Sequence, residues 1–378
     1  MGREHSSLKV LILANKDEGL FQFRAELIEK LARDGHKVFF CVPNGEFVSE
    51  IEKLGATFIA CPFLSRRGTN PVDDLKLIRF YRKALKEVQP DIVFTYTIKP
   101  NVYGGILCGR LGIPYLVNVT GLGTAVENEG PLQKLTLRLY KLGLKKSQVV
   151  FFQNEANRDF MLSKGVVAGR CELLPGSGVN LQRFQVLDYP EDDGTTRFFY
   201  FARVMREKGI EEYLEAAKQI RSKYPHTEFH VCGSCEDEYR GSLEACEKGG
   251  VVIYHGSVKD VREMHAVSSC TVHPTFYPEG MSNVLLESCA CGRPIITTNR
   301  PGCREVVDDG VNGFVVKQRD AEDLISKIEN FLALPYAEKR EMGLNGRRKV
   351  ERKFDRQIIV ERYLKEMAAA EEAKEARR

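Results

Sequence analysis

Short runs in which nearly every residue is apolar alternate along this chain with longer stretches of helical spacing. Lys9–Ala14 is the first such run. A strand with one wet face alternates apolar and polar residues, whereas a continuous apolar run implies cover on both faces, as in a parallel sheet flanked by helices. Phe21, Ala25, Ile28 and Leu31 then fall on one side of a helix predicted over 21–33. The rhythm continues with strands at 37–42, 57–60, 92–96, 115–119, 149–153 and 171–174 and helices at 47–54, 73–88, 102–111 and 131–146. Asp188-Tyr189-Pro190-Glu191-Asp192-Asp193-Gly194 interrupts it; acidic and rich in turn formers, it reads as a surface linker. Strands then recur at 198–202, 228–232, 251–254, 270–273, 294–298 and 313–316, with helices at 210–224, 242–248, 261–267, 283–291, 321–333 and 337–354. The chain is therefore expected to be α/β, with two doubly wound parallel-sheet domains at 1–185 and 186–356 and a last helix, about 357–378, packing back towards the first. Open sheets of this kind bind ligands at the carboxyl ends of their strands, so the two domains are expected to face a central cleft.

Composition narrows the class. A chain of 378 residues suits two or three domains, and 43% apolar with 29% charged residues is ordinary globular material. A net charge of +4 is too small a bias to imply nucleic acid as a partner. No apolar run approaches the ~18 residues of a membrane-spanning helix. The run at 10–14 is cut off by Asn15-Lys16-Asp17-Glu18, unlike a signal-peptide core. Eleven scattered cysteines fit reduced thiols and a cytoplasmic location. Met1-Gly2-Arg3-Glu4-His5-Ser6 fits the loose myristoylation pattern, which a frayed terminus matches equally well by chance.

The residues richest in chemistry are Pro278-Glu279-Gly280-Met281-Ser282-Asn283-Val284-Leu285-Leu286-Glu287, after a short strand and opening a helix. Gly280 lets the backbone bend towards a ligand. Met281, Ser282, Asn283 and Val284 would offer unpaired N–H groups where the helix dipole favours an anion, which makes a phosphate cradle. Glu279 on the loop and Glu287 about one turn inside the helix would look into one pocket, where carboxylates suit the vicinal hydroxyls of a sugar. Taken alone, Glu287 reads equally well as an acid favoured by a helix start; the whole string points to a ligand. In Phe201-Ala202-Arg203-Val204-Met205-Arg206-Glu207-Lys208-Gly209, Arg203 and Lys208 stand at a strand end before a helix, where two cations would neutralise a diphosphate. Arg206 serves instead or is solvated. Gly176-Ser177-Gly178 is a weak signal, compatible with a tight crossover. Cys232-Gly233-Ser234-Cys235 has no second pair at zinc spacing, so no metal is expected. His255 and His273 read as structural. Leu8–Gly19 lacks G-x-G-x-x-G, which argues against a dinucleotide oxidoreductase.

These strings resemble the family 4 GT-B glycosyltransferases. Glu279 to Glu287 looks like that family's E-x7-E motif, and Arg203 to Gly209 like its R-x4-K-G loop. Gly178-Val179-Asn180 with Phe184 resembles its G-V-D/N-x3-F segment, and Glu287-Ser288-Cys289-Ala290-Cys291-Gly292-Arg293-Pro294-Ile295 its E-A-x-A-x-G-x-P-V/I stretch. Tyr96-Thr97-Ile98-Lys99-Pro100-Asn101 and Asn118-Val119-Thr120-Gly121-Leu122-Gly123-Thr124 are similar to bacterial enzymes of capsule, O-antigen and N-glycan precursor assembly. The resemblance implies two Rossmann-like domains and retaining transfer from a nucleotide sugar, most often a UDP-sugar, without an enzyme nucleophile or a metal. The departing phosphate takes the acceptor's proton on the same face. Glu279 would orient the sugar, Arg203, Lys208 and the amides after Gly280 would hold the diphosphate, and Glu287 would hold the ribose. The base would meet backbone around His255–Val258, and Gly19, in Asp17-Glu18-Gly19-Leu20, would let its loop approach the diphosphate or the acceptor. Many members carry a His where this chain has Thr120 before Gly121; the departure leaves the sugar open, with N-acetylhexosamine a candidate. Lys99, Thr120 and Gly121 would lie near the acceptor, an undecaprenyl-diphosphate-linked glycan.

Pro131–Lys146 carries Lys134, Arg138, Lys141, Lys145 and Lys146 and no acid, with leucines between them. Such a helix suits an anionic membrane surface as well as a solvated basic face. Together with a lipid-linked acceptor it implies peripheral association with the cytoplasmic face of the inner membrane. Two other classes remain compatible with these residues: a UDP-sugar 2-epimerase, which needs no acceptor, and a non-catalytic sugar-nucleotide-binding protein.

Overall fold

Alternation within each strand determines what packs on either face. In β1 (Lys9–Leu13), Val10 and Ile12 meet Leu20, Leu27, Ile28 and Leu31 of the helix Asp17–Arg33, while Leu11 and Leu13 meet Leu77, Tyr81 and Leu85 of the helix Pro71–Val88. Both sets are buried, which is why the run carries no polar residue beyond Lys9. The computed structural model describes residues 7–64 and 71–375, so the N-terminal pattern at Met1–Ser6 lies outside the described residues.

The chain forms two units, dividing between Ser177 and Gly178 and again between Asp355 and Arg356. In the first, β1 is joined by β2 (Lys37–Val42), β3 (Ala56–Ala60), β4 (Ile92–Tyr96), β5 (Tyr115–Val119), β6 (Val149–Phe152) and β7 (Cys171–Leu173), in the order β3-β2-β1-β4-β5-β6-β7. All pairs are parallel, and the order reverses between β1 and β4. In the second, β8 (Thr196–Phe201), β9 (Thr227–Cys232), β10 (Ile253–Tyr254), β11 (Cys270–His273), β12 (Ile295–Thr298) and β13 (Gly313–Val316) run in the order β10-β9-β8-β11-β12-β13. Its reversal falls between β8 and β11, so both units are doubly wound.

The last helix, Arg356–Glu375, belongs to the first unit. Ile359, Val360, Tyr363 and Met367 enter the core beside β4 and β6, and Arg356 pairs with both Glu26 oxygens at 2.9 Å.

The boundary expected after residue 185 moves. Val179 and Phe184 pack with Leu285, Leu286 and Val350 in the second unit, and Val179 N–H donates to the Phe354 carbonyl at 2.8 Å. Gly176 and Gly178, both left-handed, frame the crossover instead. The acidic segment 188–194 is not a free linker. Tyr189 donates its hydroxyl to the Ser269 carbonyl at 2.8 Å, and the buried Arg293 donates to the Asp188 carbonyl at 2.7 Å. The helix expected at 102–111 starts as a wider turn, Pro100–Gly104, and turns regular at Gly105–Leu111. The helix Glu155–Ser163 went unread; Asn154 caps it by accepting from Asn157 N–H at 2.8 Å.

Candidate active site

In the second unit the segment after β11 bends at 278–282 and opens the helix Asn283–Ala290. The loop after β12 holds it in place. A Cβ on Gly302, which is left-handed, would come within 2.8 Å of the Gly280 carbonyl and 2.9 Å of Glu279 Cβ. The close approach lets Ser282 N–H donate to the Gly302 carbonyl at 2.8 Å. The expected run of four unpaired amides is therefore interrupted: Ser282 is taken, because a neighbouring loop reaches it before any ligand. Met281 turns its side chain into the core beside Leu285.

Lys208 closes a short 3-10 turn, Arg206–Lys208. That turn is tied to the β11 loop: Phe276 N–H and the Thr275 hydroxyl donate to the Glu207 carbonyl at 2.8 and 3.1 Å. Gly209, left-handed, sits where a Cβ would fall 2.2 Å from the Pro274 carbonyl oxygen, so no other residue fits. The result is that Lys208 Nζ and Glu279 Oε1, 71 residues apart, form a mostly buried ion pair, with Nζ 4.9 Å from the Tyr277 ring centre. Glu287 lies one turn into the helix, half-buried. Val284 and Val258 pack against one cluster with Phe199, Phe201 and Cys232.

Arg203 lies beside a different acid. Its carbonyl accepts from the Tyr200 hydroxyl at 3.0 Å, and its guanidinium lies 3.5 Å from Glu236, a residue the sequence reading missed. Glu236 follows Gly233, whose Cβ would fall 1.9 Å from the Ala202 carbonyl oxygen, so the loops after β8 and β9 pack closely at this glycine. No spacing rule links an acid to an arginine 33 residues away.

Three histidines of this unit are buried neutral. Burial, and then the Lys208 charge, push His273 well below its usual range, and among the described residues neither of its ring nitrogens has a hydrogen-bond partner. Burial and then Arg293 lower His265 to about 3. Burial outweighs Glu228 to bring His230 to about 4. His230 Nδ1 lies 2.9 Å from His255 Nε2 at the exposed end of β10.

In the first unit Lys99 Nζ lies 2.8 Å from Asp74, which also accepts from the Tyr103 hydroxyl at 2.8 Å. Thr97 is left-handed at φ 71°, and its hydroxyl is buried without a partner. Thr120 is half-buried and Gly121 follows it beyond β5 at φ 146°. Gly19 sits in the first turn of Asp17–Arg33, where a Cβ would meet nothing within 4 Å. The helix Pro131–Leu144 buries Leu137, Tyr140 and Leu144 and exposes Leu132, Leu135 and Leu142 by 50, 54 and 59%. Lys134, Arg138, Lys141, Lys145 and Lys146 are exposed with them. Among the described residues no helix is long and apolar enough to cross a membrane.

Two open, doubly wound parallel sheets in one chain make the GT-B architecture, and the comparisons supply the class of enzyme. Residues 19–176 match the glycosyl transferase 4-like domain and residues 183–349 match glycosyl transferases group 1. The chain is a glycosyltransferase made of these two domains in that order. It is 28% identical to the N,N'-diacetylbacillosaminyl-diphospho-undecaprenol alpha-1,3-N-acetylgalactosaminyltransferase of Campylobacter jejuni, across 95% of this chain and 98% of that one. It is 34% identical to the capsular polysaccharide biosynthesis glycosyltransferase CapM of Staphylococcus aureus, over 43% of each chain. The Anabaena HepE structure with UDP and glucose shares the fold at a TM-score of 0.77 and 17% identity, covering 96% of this chain and 99% of that one. The sucrose-phosphate synthase of Thermosynechococcus elongatus does so at 0.79 and 20%, covering 96% and 100%.

Proposed function

We propose that this glycosyltransferase moves a sugar, with N-acetylhexosamine the first candidate, from a UDP-sugar to a polyprenyl-diphosphate-linked glycan, with retention at the anomeric carbon. The Lys208–Glu279 pair at the start of the helix Asn283–Ala290 carries this reading. A diphosphate replaces part of the carboxylate's hold on Lys208, and Glu279 then accepts from sugar hydroxyls. The acceptor hydroxyl oxygen bonds to the anomeric carbon on the face that the diphosphate leaves. The bond from that carbon to the phosphate oxygen breaks, and the hydroxyl proton passes to that oxygen. Negative charge grows on the diphosphate during this step. Lys208, Arg203, the bend at Gly280, the amides of Met281 and Asn283, and Val284 N–H at the helix start are the groups suited to meet it. Glu287 accepts from the ribose hydroxyls, and backbone near Val258 meets the base.

In the first unit, the open space above Gly19 suits close approach of a ligand. Thr120 and Gly121, with the turn that Lys99 steadies through Asp74, receive the acceptor. The relative that acts on a diphospho-undecaprenol substrate supports the acceptor class. The exposed leucines and cations of Pro131–Leu144 support seating on an anionic leaflet, the cytoplasmic face where such acceptors are built. The test is nucleotide release from UDP-, GDP- and ADP-sugars, with and without extracted lipid-linked oligosaccharide. Release from one UDP-sugar that requires the lipid fraction is expected. Lipid-independent conversion of a UDP-sugar would instead indicate an epimerase.

A further inference from the structure

The carboxyl ends of β4 and β5, from which the turn at Thr97 and the 120–124 loop emerge, are tied to the C-terminal helix by a buried polar chain. Tyr96 donates its hydroxyl to that of Tyr363 at 2.9 Å, and Tyr363 donates to Asn118 Oδ1. The Asn118 amide group donates to the Thr95 carbonyl at 3.2 Å, which turns its oxygen towards Tyr363. The Asn118 carbonyl in turn accepts from Asn101 Nδ2 at 2.8 Å. Tyr96, Asn118, Asn101 and Tyr363 are all at most 5% exposed. The Arg24 guanidinium, equally buried, lies 4.8 Å from the Tyr96 ring centre.

A chain of this length is more than an apolar core needs. Its span is informative: it fixes Tyr96 on one side and Asn101 on the other of a turn that is unfavourable by itself. Thr97, between them, is a β-branched residue in left-handed backbone with an unpartnered buried hydroxyl. Such a conformation persists only where its surroundings over-determine it. Asn101 N–H donates to the Thr97 carbonyl at 3.0 Å and closes the turn.

We propose that Tyr363 is a positioning residue for the transfer: through Asn118 and Tyr96 its hydroxyl holds the strained Thr97 turn and the 120–124 loop in the shape that receives the acceptor. This rests on the acceptor reading given above. Tyr363→Phe removes one hydroxyl and keeps the ring packed on Phe94 and Phe151. Its kcat/KM for the lipid-linked acceptor falls about tenfold, as expected for two lost buried hydrogen bonds, while the donor KM stays at the wild-type value. Thr97→Gly relieves the backbone strain, so its Tm rises while its acceptor kcat/KM falls. A merely structural role would lower Tm and leave donor and acceptor terms unsplit. With a wild-type enzyme that depends on the acceptor, unaltered acceptor kinetics in Tyr363→Phe, or equal losses in both KM values, overturn the inference alone. A wild-type enzyme that turns over donor without the lipid-linked acceptor overturns the acceptor reading and this inference with it.

Discussion

The two units share an architecture and differ in the polar groups they place at their strand ends. The second gathers charge: Lys208 meets Glu279, Arg203 meets Glu236, and the buried His273 stays neutral under the Lys208 charge. The first links buried hydroxyls and amides, from Tyr96 to Tyr363, at the ends of β4 and β5, keeps Arg24 and the Arg356–Glu26 pair buried nearby, and turns further cations outward along 131–146. A doubly wound sheet dictates neither choice. The difference follows the groups proposed to react in each: the donor's departing diphosphate needs compensating charge, whereas the acceptor sugar's neutral hydroxyls need shape and its lipid anchor a basic outer face. The sharpest way to break this comparison is to remove one lysine from each unit. Lys208→Ala should lower kcat by about 10²–10³, the size expected for a group that meets charge growing in the transition state. Lys99→Ala removes a lysine of similar burial, also paired with an acid, and should shift the acceptor KM by less than about tenfold. Similar losses in both would erase the distinction.

The histidines give the next test. His230 and His265 titrate near 4 and 3 in the folded chain because burial disfavours their charged forms, against an ordinary value of 6.5. Below pH 6.5 the unfolded chain binds protons that the folded chain refuses. The stability they confer is therefore complete above about pH 6.5 and is lost as pH falls towards 4. His230 alone represents up to about 3 kcal/mol over that window. Among the described residues the first unit contains only His36. Hydrogen exchange corrected for intrinsic rates should show peptides of β8, β9 and β11 losing protection between pH 7 and 5 while those of β4 and β5 keep theirs. Parallel loss in both sheets would show that the buried histidines do not set the acid limit.

Much of this was legible in the sequence, and the exceptions share a cause. Strands announced themselves because parallel strands are apolar throughout, and the Glu279–Glu287 string because a loop that opens a helix keeps its residues contiguous. Lys208 and Glu279 were each marked by a separate motif, but nothing in either predicts that they touch. The unit boundary was misplaced because the acidic segment 188–194 looked like a linker; its anchor is one tyrosine and a buried arginine a hundred residues on. Gly302 took an amide counted as free, and Tyr363 reaches Asn118 across 245 residues. Local pattern records propensity and burial, whereas these partners are brought together by topology.

A finer division lies inside the second unit. Glu287 is one turn into its helix, where it suits the ribose, a part of the donor that does not react. Glu287→Ala should raise donor KM about 10- to 100-fold, the loss of hydrogen bonds to a charged group, with kcat little changed. Arg203→Ala should mainly lower kcat, since its charge matters most as the diphosphate leaves. Steady-state kinetics in UDP-sugar separates the two, and wild-type behaviour in either variant removes the corresponding role.

The last effect lies on the first unit's outer face, outside the reaction itself, and its salt dependence decides what that face does. Each basic side chain near an anionic leaflet is worth ~1 kcal/mol. Lys141→Glu with Lys145→Glu should therefore weaken binding to phosphatidylserine-containing vesicles by at least about tenfold at low salt. The defect should shrink as salt shortens the screening length towards ~8 Å at physiological ionic strength. Leu135→Ser with Leu142→Ser removes apolar contact instead, so its defect should persist at every salt concentration. UDP affinity should be unchanged in both double variants, because none of the substituted residues is among those proposed to meet the nucleotide. If both bind vesicles like the wild type, the exposed leucines and lysines along 131–146 form a solvated face, and the proposed lipid-linked acceptor must be reached through another surface.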